Sequence, residues 1–272
     1  AVLAEVGSCG VLRHVASEAH ALDGSRFFEP YLVEGKDAAL RQQVGLLSTL
    51  RPTQRLWRTD AHETSFGEQS GCGPCPDARS HRSGVSKHLV ARVEPLPGHT
   101  VVVIGLHLKA RPLDPCSCHK REAQARVVAG LVRSALRQRE HVVVLGDFND
   151  FDADVPDYSR SFPTSSVLRI IKDVDGDGKA ELWNTLEAVD PAERYSDRWG
   201  PPRPWWLGGQ RVSLLDHVLV SESLRRCVRE VGIGHRMMPQ SLSDHWPVWV
   251  RLDLAALAPS AAPAAVDEPM AP

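Results

Sequence analysis

No run in this 272-residue chain approaches the roughly 20 apolar residues that a helix needs to cross a bilayer, so a membrane span is not expected. Positive charge is not in excess either: 32 Lys and Arg stand against 34 Asp and Glu, a net charge of −2. That excludes the global basic field of a protein that coats nucleic acid. It leaves room for an enzyme that visits a phosphodiester briefly. No internal repeat is visible, which argues for one domain, and we place it at 1–254. No initiator Met or leader is visible. The chain opens Ala1-Val2-Leu3-Ala4-Glu5, already inside an apolar run, and this reads as a processed, trimmed or incomplete start, so the missing leader excludes nothing.

What is present is ordinary for a globular protein: 42% hydrophobic and 24% charged residues, enough to bury a core without staples. Four of the six cysteines form two tight pairs, Cys72-Gly-Pro-Cys75 and Cys116-Ser-Cys118; Cys9 and Cys227 stand apart. The first pair lies in a Gly/Pro/Ser/Arg-rich stretch and not at a strand-to-helix junction, which counts against a redox motif. Loop-stapling disulfides are the favoured reading, with four thiolates on zinc, or free thiols, left open.

Periodicity predicts a helix over Cys9 to Leu22, with Val11, Leu12, Val15, Ala16 and Ala19 on its apolar face. Val44 to Leu50 reads as a strand, residues 62–84 as loop, and His88 to Val93 as a short strand. Thr100 to Leu108 is almost wholly apolar, the pattern of a strand buried on both faces. An amphipathic helix over Lys120 to Arg139 follows, with Val127, Val128, Leu131, Ala135 and Leu136 on one face, and then a second apolar strand, His141 to Leu145. Strand, helix, strand with short joints predicts parallel neighbours and a right-handed crossover. Further strands are expected within Val212–Val220 and Asp244–Leu254. The tail 255–272 is too rich in Ala and Pro to fold.

Polar residues interrupt the apolar strands at telling places. His107 closes one strand. Asp147 and Asn149, in Gly146-Asp147-Phe148-Asn149-Asp150, follow the end of its expected parallel neighbour. Asp216, Asp244 and His245 open two later strands; if those run the other way, all six residues meet at one sheet edge, where open α/β sheets place their sites. Each residue alone fits a blander role, a turn Asp or a core His. Their order and context together do not.

Leu106-His107-Leu108-Lys109, Gly146-Asp147-Phe148-Asn149-Asp150, Leu215-Asp216-His217-Val218-Leu219 and Ser243-Asp244-His245-Trp246-Pro247-Val248 resemble the endonuclease/exonuclease/phosphatase, or DNase I-like, superfamily, in family order over 1–254. Val44 to Ser48 is similar to its core strand, and Ala4-Glu5-Val6 to its metal-ligand segment. The family's opening strand, with an Asn at the metal, has no counterpart, because Glu5 is already the fifth residue.

The resemblance implies a four-layer α/β sandwich of two packed mixed sheets flanked by helices. It also implies metal-dependent phosphodiester hydrolysis, with a secreted DNase-like endonuclease the expected function and DNA the expected partner. In that scheme Glu5 holds Mg²⁺ or Mn²⁺, and Asp244 supports the metal or the adjacent His245. Asp147 orients or deprotonates water, and Asn149 and His107 bind phosphoryl oxygens. Asp216 fixes His245, which stabilises the developing charge. Lys87 and His88 stand in for a phosphate-touching Tyr or Arg. A phospholipid (sphingomyelinase-like) or inositol-phosphate phosphoesterase is the alternative chemistry. An inactive binding or assembly module on the same fold is the alternative of another class, and the complete His/Asp set argues against it.

Asp173-Val174-Asp175-Gly176-Asp177-Gly178-Lys179-Ala180-Glu181 places acids at alternate positions around glycines, a pattern that wraps oxygens about Ca²⁺. We expect structural Ca²⁺ on Asp173, Asp175, Asp177 and Glu181. With the paired cysteines this suggests an extracellular or lumenal monomer. Trp199, Trp205 and Trp206 read as anchors of a Pro-rich loop, with stacking on a base or headgroup as the alternative; Trp183 and Trp246 read as core.

Overall fold

The computed structural model describes residues 1–24, 26–36, 40–65, 70–199, 211–236 and 243–257. The chain opens with β1 (Val2–Val6) and α1 (Cys9–Asp23). Ser8 caps α1 by accepting the Val11 N–H, and Gly24 ends it at φ 66. β2 (Glu29–Leu32) and β3 (Gln43–Ser48) follow; β3 pairs antiparallel with β1 on one edge and β2 on the other. The segment read as loop is framed by a short antiparallel pair, β4 (His62–Thr64) and β5 (Arg82–Gly84). Next come β6 (His88–Leu96), β7 (His99–His107), α2 (Pro115–Arg137) and β8 (His141–Asp147). β7 and β8 are parallel, as the strand–helix–strand pattern predicts. The remainder comprises α3 (Val167–Lys172), β9 (Leu182–Asn184), β10 (Asp197–Trp199), β11 (Arg211–Ser213), β12 (Asp216–Ser221), α4 (Glu222–Arg225), β13 (Val228–Ile233) and β14 (Val248–Leu252).

Four layers result. The central mixed sheet runs β6-β7-β8-β12-β9. Its apolar strands bury both faces: Val102, Ile104, Leu106, Val142 and Val144 pack under α2, against Ala125, Val128, Ala129 and Val132. The alternate residues Val101 and Val143 turn the other way, toward Val248, Val250 and Leu252 of β14. The opposing layer consists of two antiparallel pieces, β1-β3-β2 and β13-β14. α1 closes the outside of the first piece through Leu12 and Ala16, which meet Val6 and Leu47. Val11 and Val15, read into the same apolar face, are exposed, because only the residues spaced by four reach the sheet. Leu257 is buried as well, so packed chain runs past residue 254; residues 258–272 lie outside the described residues.

α2 begins at Pro115 and not at Lys120. Its first turn carries no apolar periodicity; the start is set by Asp114, whose carboxylate accepts the Ser117 N–H at 2.7 Å, and by Pro115, whose ring fits a first helical position. That polar turn is buried because the cysteine pairs bolt a loop over it. Cys72–Cys118 and Cys75–Cys116 are disulfides, which settles the choice among disulfides, zinc and free thiols. One turn further, Arg121 is fully buried. Its Nε donates to Asp150 Oδ2 at 2.8 Å, and its terminal nitrogens donate to the carbonyls of Lys109, Arg111 and Pro112. Gln124 accepts the Lys109 N–H at 2.9 Å. The helix therefore grips both the loop after β7 and the loop after β8.

Removing one partner of a sealed ion pair leaves a charge with neither water nor counter-charge. Arg121→Met is expected to cost about 3–5 kcal/mol in chemical denaturation. A loss below about 1 kcal/mol, the range of exposed pairs, would show that the pair is not sealed in solution.

Candidate active site

The site begins as one rung of the central sheet. β7 and β8 pair His107 with Asp147, and β8 and β12 pair Asp147 with Asp216. Three polar residues on three neighbouring strands are thus set side by side at the usual spacing of roughly 4.8 Å. Two strands end at this edge and the third begins there, as the sequence pattern anticipates.

Gly146 makes the rung fit. Its φ is 133, and a Cβ there would lie 2.0 Å from the Leu106 carbonyl oxygen, so no side chain is admissible just before Asp147. Phe148 then drops fully buried into the core under α2, which fixes the loop. Asn149 adopts φ 51, a left-handed conformation that Asn tolerates. Its N–H and its side-chain Nδ2 both donate to the Asp147 carboxylate, each at 2.8 Å. Across the rung, His107 Nε2 lies 3.4 Å from Asp147 Oδ2. Burial, reinforced by the charge of Asp216, pushes the Asp147 carboxyl up to about 8.

The other half comes from two loops. Asp244 and His245 do not open β14; they precede it, held by an isolated bridge from His245 to Asp197 and by Arg198 N–H donating to Asp244 O. His245 Nδ1 donates to Asp216 Oδ2 at 2.7 Å, and Ser196 Oγ donates to the same oxygen at 2.8 Å. Nε2 of His245 faces Asp197 Oδ1 at 3.5 Å. Burial opposes charge on this imidazole, but the Asp216 hydrogen bond and the carboxylates of Asp216, Asp147 and Asp197 prevail and raise it to about 10. Burial raises Asp197 to about 6; His245 pulls it down, and Asp216 and Asp244 push it up again.

All six expected residues therefore gather at this edge, joined by Ser196 and Asp197, which the sequence did not single out. Their only sequence signal is a polar dipeptide between Tyr195 and Arg198, and only Asp197 of the two lies in a strand, one of three residues. Glu5 is different. It is exposed on β1 at the bulge, with φ 59, and belongs to none of the compact ligand groups found among the described residues. One such group is Asp197, Asp244 and His245, with ligand atoms all within 4.8 Å of one another. Carboxylate oxygens dominate this set and the neighbouring Asp147, the donor chemistry that hard divalent cations prefer.

His88 is not a phosphate contact: it is buried, its Nδ1 meets the Val85 carbonyl, its Nε2 accepts the Thr59 N–H, and burial lowers it to about 4. Lys87 donates to Gln42. Trp183 and Trp246 are half-buried where core was expected, and Trp205 and Trp206 lie outside the described residues. An open groove of about 1160 Å³, lined by Tyr31, Arg51, Arg55 and Trp57 among others, shares no residue with the site.

Residues 37–245 match the model of a family described as Endonuclease/Exonuclease/phosphatase. No curated protein matches the chain by sequence. Among solved structures, a 3′ phosphatase from Neisseria bound to product DNA hairpin aligns with TM-score 0.59 at 17% identity, over 93% of this chain and 88% of that one. A 3′-5′ exonuclease from Neisseria meningitidis gives 0.58 at 19%, over 93% and 88%. An AP endonuclease from Archaeoglobus fulgidus gives 0.54 at 15%, again over 93% and 88%.

The raised His245 has a signed consequence. A folded value above the unfolded one contributes stability that is complete below about 6.5 and lost as pH rises through about 10. In metal-free protein its ring resonances are expected to titrate far above neutrality, and Asp216→Asn to bring the midpoint back toward roughly 6.5. A wild-type midpoint already at that ordinary value would sink the paired-imidazole description.

Proposed function

The chain belongs to the endonuclease/exonuclease/phosphatase family, and from that premise we propose that it is a divalent-metal-dependent phosphodiester hydrolase acting on DNA, as an endonuclease. The observation that carries the reading is the rung His107–Asp147–Asp216 with His245 locked onto Asp216. A phosphodiester needs an activated water on one side and a stabiliser of growing negative charge on the other. Asp147, whose basicity burial has raised, suits the first task. His245, kept protonated by its carboxylates, suits the second, and Asp216 holds its tautomer. His107, beside Asp147 at 3.4 Å, would contact the same phosphoryl group.

A bound Mg²⁺ or Mn²⁺ would neutralise substrate charge and polarise a phosphoryl oxygen. Asp244 and Asp197 offer the oxygens to hold it, and we propose Glu5, outside that compact group, as a further ligand. DNA is favoured by a local cation patch that the net charge hides. The Lys109 ammonium, two residues beyond His107, is pushed down by burial and then by Lys120, Arg111 and Lys87 around it. Two disulfides support an extracellular or lumenal setting.

Plasmid nicking that requires Mg²⁺ or Mn²⁺ and stops in EDTA is the expected result. His245→Ala and Asp147→Ala should each lower it about 10²–10⁴-fold. Folded protein that binds Mg²⁺ yet leaves plasmid intact would remove the DNA reading and point to phospholipid or inositol-phosphate esters.

For the acidic loop we propose Ca²⁺. The carboxylates of Asp173, Asp175, Asp177 and Glu181 converge within 4.8 Å, with Gly176 and Gly178 at positive φ shaping the loop. The loop joins Lys172, which pairs with buried Asp152, to β9, whose Asn184 meets the same Asp152. Ca²⁺ at about a hundredfold over its Kd should stabilise the protein by about 2.7 kcal/mol. Asp173→Ala should abolish that gain, and a melting temperature indifferent to Ca²⁺ would exclude the site.

A further inference from the structure

Asp197 is the buried carboxylate of the cluster for which the reaction outlined above has only a subsidiary task. Three contacts hold it in place. β10 pairs it with Ser213 of β11, a bridge pairs it with His245, and Trp246 N–H donates to Ser196 O beside it. Its Oδ1 stands 3.5 Å from His245 Nε2. The other ring nitrogen is already committed to Asp216 at 2.7 Å. The Nε2–H is therefore the sole side-chain donor His245 has left for a phosphoryl oxygen, and a carboxylate oxygen faces it.

An orienting role for Asp197 would be redundant, since Asp216 alone fixes the ring and its tautomer. At 3.5 Å the Asp197 contact is also longer than a made hydrogen bond, so the donor is faced without being consumed. What the carboxylate does impose is charge: an incoming anion meets a negative group at the nitrogen it must reach. Asp244 lies beside Asp197, its ligand atom within 4.8 Å, so a divalent cation taken up there would cancel that repulsion.

We propose that Asp197 is an anion gate: its carboxylate occupies the phosphoryl-oxygen position at His245 Nε2 and keeps phosphate out until a divalent cation on Asp197 and Asp244 neutralises it. Cation binding then precedes substrate binding, and apo enzyme does not sequester phosphorylated ligands. The inference rests on the phosphoesterase reading of the site but not on DNA as its substrate.

The test measures inorganic phosphate binding by calorimetry, in EDTA and in Mg²⁺, for wild type, Asp197→Asn and Asp197→Glu. Wild type should bind phosphate weakly in EDTA and about tenfold more tightly with Mg²⁺, the size of effect expected when one like charge is removed. Asp197→Asn should bind about tenfold more tightly than wild type in EDTA and respond little to Mg²⁺. Asp197→Glu, which keeps the charge, should behave as wild type. If Asp197→Asn lowers the melting temperature, Asp197→Ser carries the same expectation. An Asn or Ser variant of unchanged melting temperature that binds phosphate no better than wild type in EDTA overturns the gate, as does a Glu variant that gains as much as Asn. Because the probe is phosphate, a protein that fails to nick plasmid still answers the question. A gate that fails beside normal nicking removes only the gate.

Discussion

Arg121 and Asp150 meet where neither side chain touches solvent, so each charge relies on the other and on hydrogen bonds within the protein to offset its desolvation. The guanidinium uses its remaining donors on three carbonyls of the loop that follows His107. Asp150 is the last residue of the Gly146–Asp150 turn that carries Asp147 and Asn149, and it also accepts from Ser165 Oγ at 2.6 Å. One residue on α2 thus fixes the two loops that carry the site residues relative to one another. Such a joint is intolerant, because any displacement of α2 would strand a charge and several carbonyls together. That explains why the polar start of the helix is strapped down by two disulfides.

A second buried network continues from the first. His217 Nε2–H donates to Asp150 O, while its Nδ1 accepts from Asn184 Nδ2; Asn184 Nδ2 also donates to Asp152, which pairs with Lys172. Burial holds His217 neutral, which suits a ring that donates on one side and accepts on the other. Two histidines therefore differ by environment. His217, sealed among satisfied partners, is structural. His245, a third exposed and ringed by carboxylates, is charged and available.

The rung of polar residues was legible because it sits where apolar strands stop. A polar residue at the end of a run such as Val101–Leu106 is conspicuous, and strand direction then says which edge it occupies. The structure adds a steric reason for the turn Gly146–Asp150, since only glycine fits against Leu106. Ser196 and Asp197 escaped notice because their burial is wholly tertiary: a three-residue strand is held by β11 and by the His245 loop, with no apolar run to advertise it. The first turn of α2 escaped for a related reason. Its burial comes from disulfides and an ion pair, neither of which leaves an amphipathic period. His88 misled in the opposite direction, as a polar residue at a strand start that the sheet buries and neutralises.

Charge across the cleft is uneven, and this bears on how a substrate enters. Lys87, Lys109, Arg111 and Lys120 gather on the β7 side, near enough for each of the others to depress Lys109. Asp197 and Asp244 gather on the opposite side, beyond Asp216 and His245. A polyanion approaching such a cleft is drawn to one wall and repelled from the other until a cation reverses the second. The basic wall would hold flanking phosphates whether or not metal is present, and the acidic wall would admit the scissile phosphate only when metal is bound. Strand binding and phosphate commitment would then respond differently to divalent cation, the first through the Lys109 patch and the second through Asp197. This separation follows from placement alone: the two walls rise from opposite edges of the same three-strand rung.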